Sequence, residues 1–90
     1  MNWQVYIILC SDNSLYTGIT TDLARRLRQH ADGRGAKYFR GRRPEQVICL
    51  EAGHTRSSAS RREAEIKALS PAGKWLLVKK SGDLPLQETT

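Results

Sequence analysis

Two tyrosines, an arginine, a histidine and a glutamate recur at spacings that let a small fold gather them. Tyr6 lies in the apolar run Trp3-Gln4-Val5-Tyr6-Ile7-Ile8-Leu9-Cys10, and Tyr16 in Leu15-Tyr16-Thr17-Gly18-Ile19-Thr20. Alone, each tyrosine suits a strand, with an apolar ring and a polar tip. Gly18 changes that weighting. Glycine weakens a strand unless something must approach the backbone closely, and a substrate phosphate or a catalytic side chain is the expected visitor. Arg26 and His30 are four residues apart, which stacks them on one flank of a helix beside the Leu23/Leu27 stripe. Arg25 points nearly away from that stripe, toward solvent or a distant phosphate. Purely structural roles are open to both flank residues. Arg26 could pair with Asp22, and His30 could sit charged at the helix C-terminus, where the dipole favours a cation.

Glu63 and Glu65 come later. One carboxylate suffices for a divalent cation whose other ligands are water and phosphate oxygens. Helical geometry does not choose between them, since Glu63 lies nearer Ala59 and Ile66 while Glu65 lies nearer Leu69. Glu63 also has a structural alternative, because Ser60-Arg61-Arg62-Glu63 spells a capping box.

The segment from Gly33 to Arg43 interleaves aromatics with cations. Tyr38 and Phe39 could stack on unpaired bases, at about 1–3 kcal/mol each, with one of them joining the core. Arg34, Lys37, Arg40, Arg42 and Arg43 could neutralise phosphates, and Gly18 and Arg25 join this nucleic-acid-contacting set. The second candidate surface is the face around Arg56, Arg61 and Arg62.

The elements that must position these groups follow from pattern. Trp3–Cys10 reads as a buried strand, Ser11–Ser14 as a turn, and Leu15–Thr20 as the second arm of an antiparallel hairpin. A helix follows, capped by Thr21 or Asp22 and running to about His30, with Leu23, Leu27, Ala24 and Ala31 as its apolar face. Val47–Leu50 reads as a third strand. Gly53–Ser57 reads as a loop and Ser58–Leu69 as a second helix. A short third helix restarts with Ser70 as N-cap and Pro71 at its first position. The order predicts an α+β domain, a small three-stranded antiparallel sheet flanked by about three helices, over residues 1–80, with a frayed tail over 81–90.

Composition narrows the function classes. Ninety residues make one domain with a modest core. The net charge is +6, from 15 Lys and Arg against 9 Asp and Glu, and ten of the cations are Arg. The planar guanidinium matches phosphate, so this excess favours nucleic acid as partner. No apolar run reaches the ~18 residues of a membrane span, and no basic segment followed by an apolar one marks a signal peptide. Cys10 and Cys49 lie in strand-like runs and read as reduced, buried thiols, so a cytoplasmic protein is expected, and a monomer is favoured. No Cys/His spacing suits zinc.

The stretch from Leu15 to Leu27, followed by Gly33-Arg34-Gly35-Ala36-Lys37-Tyr38, resembles the GIY-YIG nuclease superfamily, and within it the small stand-alone bacterial UPF0213 (YhbQ-like) group. The resemblance covers about Trp3 to Lys80. It implies a metal-dependent phosphodiester hydrolase using Mg²⁺ or Mn²⁺, acting on DNA, with a role in DNA repair or processing. Residue by residue it implies Tyr6 and Tyr16 as the motif tyrosines, Gly18 as the glycine, Arg26 as the helix arginine, His30 at a position held by His or Tyr, and Glu63 as metal ligand. In the expected mechanism either Tyr6 or Tyr16 orients or deprotonates the attacking water, with His30 as proton partner. The first motif reads Gln4-Val5-Tyr6 rather than Gly-Ile-Tyr, and Thr17 stands where Ile or Val is usual. An Asn that follows the glutamate helix in several nucleases has no clear counterpart. The sequence gives no helix-turn-helix or zinc finger to read a long duplex site, which favours single-stranded or branched substrates. The alternative is a non-catalytic nucleic-acid-binding module of the same fold.

Overall fold

A computed structural model describes residues 2–33, 37–39 and 41–81, with the side chains of Tyr38 and Ser81 excepted. Arg34, Arg40, the Tyr38 side chain and the tail 82–90 therefore lie outside the described residues. Strands β1 (Trp3–Cys10), β2 (Leu15–Thr20) and β3 (Pro44–His54) form one antiparallel sheet in the order β2-β1-β3. Helices α1 (Leu23–Ala31), α2 (Arg56–Lys67) and α3 (Pro71–Ser81) surround it, and Lys37–Phe39 forms a short 3₁₀ turn. The α+β architecture is the predicted one.

The central strand β1 has no polar side chain except Gln4 and the hydroxyl of Tyr6, because both its faces are covered. Val5 and Ile7 point to the face that packs Cys49, Ile48, Ala59, Ile66 and Val78. Tyr6, Ile8 and Cys10 point to the other face, where Phe39, Leu23 and Leu27 close over them. The sheet thus separates an apolar core beneath α2 and α3 from a more polar one beneath α1. The β1–β2 turn is pinned by Asp12, whose carboxylate accepts from the Ser14 backbone at 3.1 Å and from the Arg42 guanidinium at 2.8 Å. Asn13 takes the left-handed conformation, φ 67°, which Asn tolerates.

Three sequence expectations need correction. β3 runs from Pro44 to His54 rather than over Val47–Leu50. Pairing with β1 extends it past its apolar centre, and an edge strand tolerates Pro44 as its first residue. α2 starts two residues early, at Arg56, because Thr55 and Ser58 form the capping box: Thr55 Oγ1 accepts from the Ser58 N–H and Ser58 Oγ from the Thr55 N–H, each at 3.0 Å. Ser60 and Glu63 are therefore mid-helix, and the capping role considered for Glu63 does not exist. On α1, Ala24 and Ala31 are exposed, and the helix buries His30 instead. The N-cap of α1 is Asp22, which accepts from the Arg25 N–H at 3.1 Å. Ser70 caps α3 as expected, accepting from the Gly73 N–H at 3.1 Å.

Thr17 is 2% exposed on the α2 side, and its hydroxyl finds no partner among the described residues. A buried unpaired hydroxyl costs about 1–3 kcal/mol. Thr17→Val keeps the shape and should raise the urea midpoint by the equivalent of about 1 kcal/mol. An unchanged or lower midpoint would show that the hydroxyl is hydrogen bonded in solution.

Candidate active site

The β1–β2 register places Tyr6 opposite Gly18. A Cβ built on Gly18 would lie 2.5 Å from the Tyr6 hydroxyl oxygen, 2.7 Å from its Cζ and 3.0 Å from a ring carbon of Tyr16. The visitor that requires glycine is thus the Tyr6 phenol, which lies across the β2 backbone. From there Tyr6 Oη hydrogen bonds His30 Nε2 at 2.9 Å. Tyr16 packs edge-on against His30 with ring centroids 5.2 Å apart, and Phe39 closes the cluster at 4.3 Å from His30 and 4.9 Å from Tyr16.

Arg26 enters from the same flank of α1. It does not pair with the Asp22 carboxylate. Its Nη1 donates to Gln29 Oε1 at 3.0 Å, while its Nε is buried with no acceptor among the described residues. His30 Nδ1 is likewise buried and unpartnered. A half-buried guanidinium that has only the neutral Gln29 amide and the Tyr6 phenol as partners, and no carboxylate among the described residues, suits an anion.

The electrostatics fix the resting proton states. Burial pushes Tyr6 up to about 12, with Tyr16 and Glu63 adding to the rise and Arg26 opposing it. Burial also raises Tyr16, with Lys67 and Arg26 pulling down and Glu63 pushing up. His30 falls from 6.5 to about 4, through burial first and then the Arg26 charge. The helix dipole is overridden, so His30 is neutral rather than the charged boundary residue that the C-terminal position suggested.

The glutamates separate. Glu63 retains 24% side-chain exposure and pairs with Lys67 at 3.2 Å, and its charge is felt at both tyrosines. Glu65 is 66% exposed and pairs with Arg62. Among the described residues no group of three or more His, Cys, Asp or Glu gathers as a metal cage. A single carboxylate beside a phosphate site nevertheless suits a hard cation that completes its shell with water and phosphate oxygens. The contact with Lys67 is a pair with one half-exposed partner, and pairs of this kind contribute little.

Of the other candidates, Arg25, Lys37 and Arg43 are exposed, and Arg42 is held on Asp12. Phe39 is core, 3% exposed. Gln29 was missed by sequence reading, although its position three residues after Arg26 on one helix face is the available signal. Phe39 as the wall behind His30 had no local signal.

Gly18→Ala should force the Tyr6 ring aside, lowering stability by about 1–3 kcal/mol in urea titrations and breaking the hydrogen bond to His30. Full stability would mean that the ring has another place to go. The His30 shift also carries a pH dependence. Its folded pKa lies below the unfolded value, so the unfolded chain takes the proton first as pH falls. Stability should therefore be fully present above about pH 6.5 and drain away toward about pH 4. His30→Phe should flatten that part of a stability–pH profile, and an equal slope in both proteins would mean that His30 ionises freely within the fold.

Comparison with known proteins follows the same lines. The GIY-YIG catalytic domain model matches residues 2–75. A UPF0213 protein of Desulfotalea psychrophila is 51% identical over 80 residues, spanning 88% of this chain and 73% of that protein. The UPF0213 protein BH0048 is 47% identical over 90 residues, and its solution NMR structure, from Bacillus halodurans, superposes with a TM-score of 0.63 over 100% of this chain and 95% of that one. The NMR structure of protein EF2693 from E. faecalis gives a TM-score of 0.62 at 36% identity, covering 93% and 91% of the two chains. The family model spans most of the chain and these relatives are 36–51% identical over most of it, so the chain belongs to the GIY-YIG family, among its UPF0213 proteins.

Proposed function

We propose that this protein is a metal-dependent endonuclease that hydrolyses phosphodiester bonds in DNA, preferring single-stranded or branched substrates, in DNA repair or processing. The observation that carries the reading is the convergence of the Tyr6–His30 pair with an Arg26 guanidinium that lacks an anion, within the field of Glu63. Arg26 supplies charge where the pentavalent phosphorus gathers it, a contact stronger in the transition state than in the ground state. Water attacks phosphorus, a P–O bond forms, the ester P–O bond breaks, and the water's proton passes toward Tyr6 and His30. At rest Tyr6 holds its proton and His30 is neutral, so neither is poised alone. An arriving phosphate adds negative charge beside Arg26 and His30, which raises the imidazole's affinity for a proton. Glu63 would hold Mg²⁺ or Mn²⁺, which when bound polarises the phosphate and stabilises the leaving oxygen. Exposed Lys37 and Arg43 would offer phosphates of a bound strand further cationic contacts.

Labelled single-stranded, duplex and branched DNA, incubated with Mg²⁺, Mn²⁺ or EDTA, test this. Cleavage should need the metal. Glu63→Ala should abolish it and leave binding largely intact, while Glu65→Ala should cut normally. Arg26→Ala should slow cleavage at saturating DNA on the order of 10²-fold or more, far more than Arg25→Ala. Binding without cutting under any metal would make the protein a nucleic-acid-binding module that keeps the fold.

A further inference from the structure

An open groove of about 360 Å³ lies beside the catalytic cluster, lined by Trp3 and Ile19 from the sheet and by Asp22, Arg25, Arg26 and Gln29 from α1 and its cap. Its walls combine an indole, two guanidiniums and an amide. The Trp3 ring is half-buried, packed against the Val5/Ile7 core, with the Arg56 guanidinium 5.9 Å above its centroid. Arg25 and Arg56 form no ion pair among the described residues. Asp22 is the one anion on the wall, and one of its carboxylate oxygens is already taken by the Arg25 N–H. A flat aromatic group joined to an anion fits this lining, and a nucleotide has that chemistry. Arg26 belongs to the groove and to the catalytic cluster at once, so whatever sits in the groove is next to the group bound at Tyr6 and His30.

We propose that this groove receives the unpaired nucleotide adjoining the scissile phosphate, its base against the accessible part of the Trp3 indole and its own phosphate on Arg25. The proposal rests on the nucleic-acid reading given above. It makes Trp3 a determinant of strand preference. A base can enter only after leaving its stack, which costs least where the strand is already single.

The chain has two tryptophans, Trp3 and Trp75. In a Trp75→Phe background Trp3 alone reports. Titration of that protein with a short single-stranded DNA in EDTA should quench or shift the Trp3 emission. Trp3→Leu, which keeps an apolar wall and removes the ring, should weaken single-strand binding on the order of tenfold or more while changing duplex binding little, and Trp3→Phe should restore most of the loss. Arg25→Gln, at an exposed position that does not risk the fold, should flatten the log–log salt slope by about 0.7 for single strands. Single-strand binding with undisturbed emission, and equal affinity in Trp3→Leu and Arg25→Gln, would overturn the groove and leave the nucleic-acid reading standing. No binding of wild type to any DNA at low salt would overturn both.

Discussion

The candidate site depends on one steric permission. Gly18 has no Cβ, and the space is filled by the Tyr6 phenol. If β2 carried any side chain there, the ring could not lie flat across the strand, and its hydroxyl could not meet His30 at 2.9 Å. The crossing also couples sheet to helix. Tyr6 belongs to the central strand, the most constrained element of the sheet, and His30 to the last turn of α1. That hydrogen bond, with the packing of Leu23 and Leu27 against the same face of β1, ties the helix that carries Arg26 to the sheet. Phe39 then packs against His30 and Tyr16, sealing the pair from the side of the loop.

This arrangement is costly for so small a domain. Three buried polar atoms lack partners among the described residues, Thr17 Oγ1, Arg26 Nε and His30 Nδ1. Two of the three lie within the candidate site. Folding alone would favour replacing such groups by apolar ones of like shape, as the Thr17 position illustrates. A substrate phosphate changes the accounting for Arg26, since an anion satisfies the guanidinium and its charge together. The apolar core on the other face, built from Val5, Ile7, Ile66 and their neighbours, supplies stability that the α1 face lacks.

Much of this was legible in residue order. The apolar run of β1, the hairpin turn, the Asp22 cap and the Ser70-Pro71 restart each have local chemistry, and local chemistry can be read in sequence. Gly18 could be recognised as a point of close approach, though nothing in the sequence said that Tyr6 was the visitor rather than a phosphate. That needs the register. β3 outran its apolar centre because pairing with β1, not propensity, decides its length. Ser60 offered a capping box for α2, but the strand that delivers the chain at His54 places the cap at Thr55 instead. His30 could not be assigned a charge state from its place on α1, because its burial comes from Tyr6, Tyr16 and Phe39, remote in sequence. Arg34, Arg40 and the Tyr38 ring lie outside the described residues, so the phosphate-tracking loop stays an expectation drawn from sequence.

Net charge gives only a bound on the surface that meets nucleic acid, because paired arginines cancel their own fields. Arg42 is spent on Asp12, and Arg62 on Glu51 and Glu65. Arg25 and Arg56 make no such pair among the described residues, and both stand near Trp3, one lining the groove and one above the indole. Arg26 continues that line inward to Tyr6. Arg56, Arg25 and Arg26 therefore place cations along one line from the rim of α2 past Trp3 to the candidate site, in addition to the cations elsewhere on the domain. On the reading proposed for the groove, a single strand, whose bases are free to turn aside, would meet this line of cations and the Trp3 ring together, whereas a rigid duplex would present no base there without first being opened.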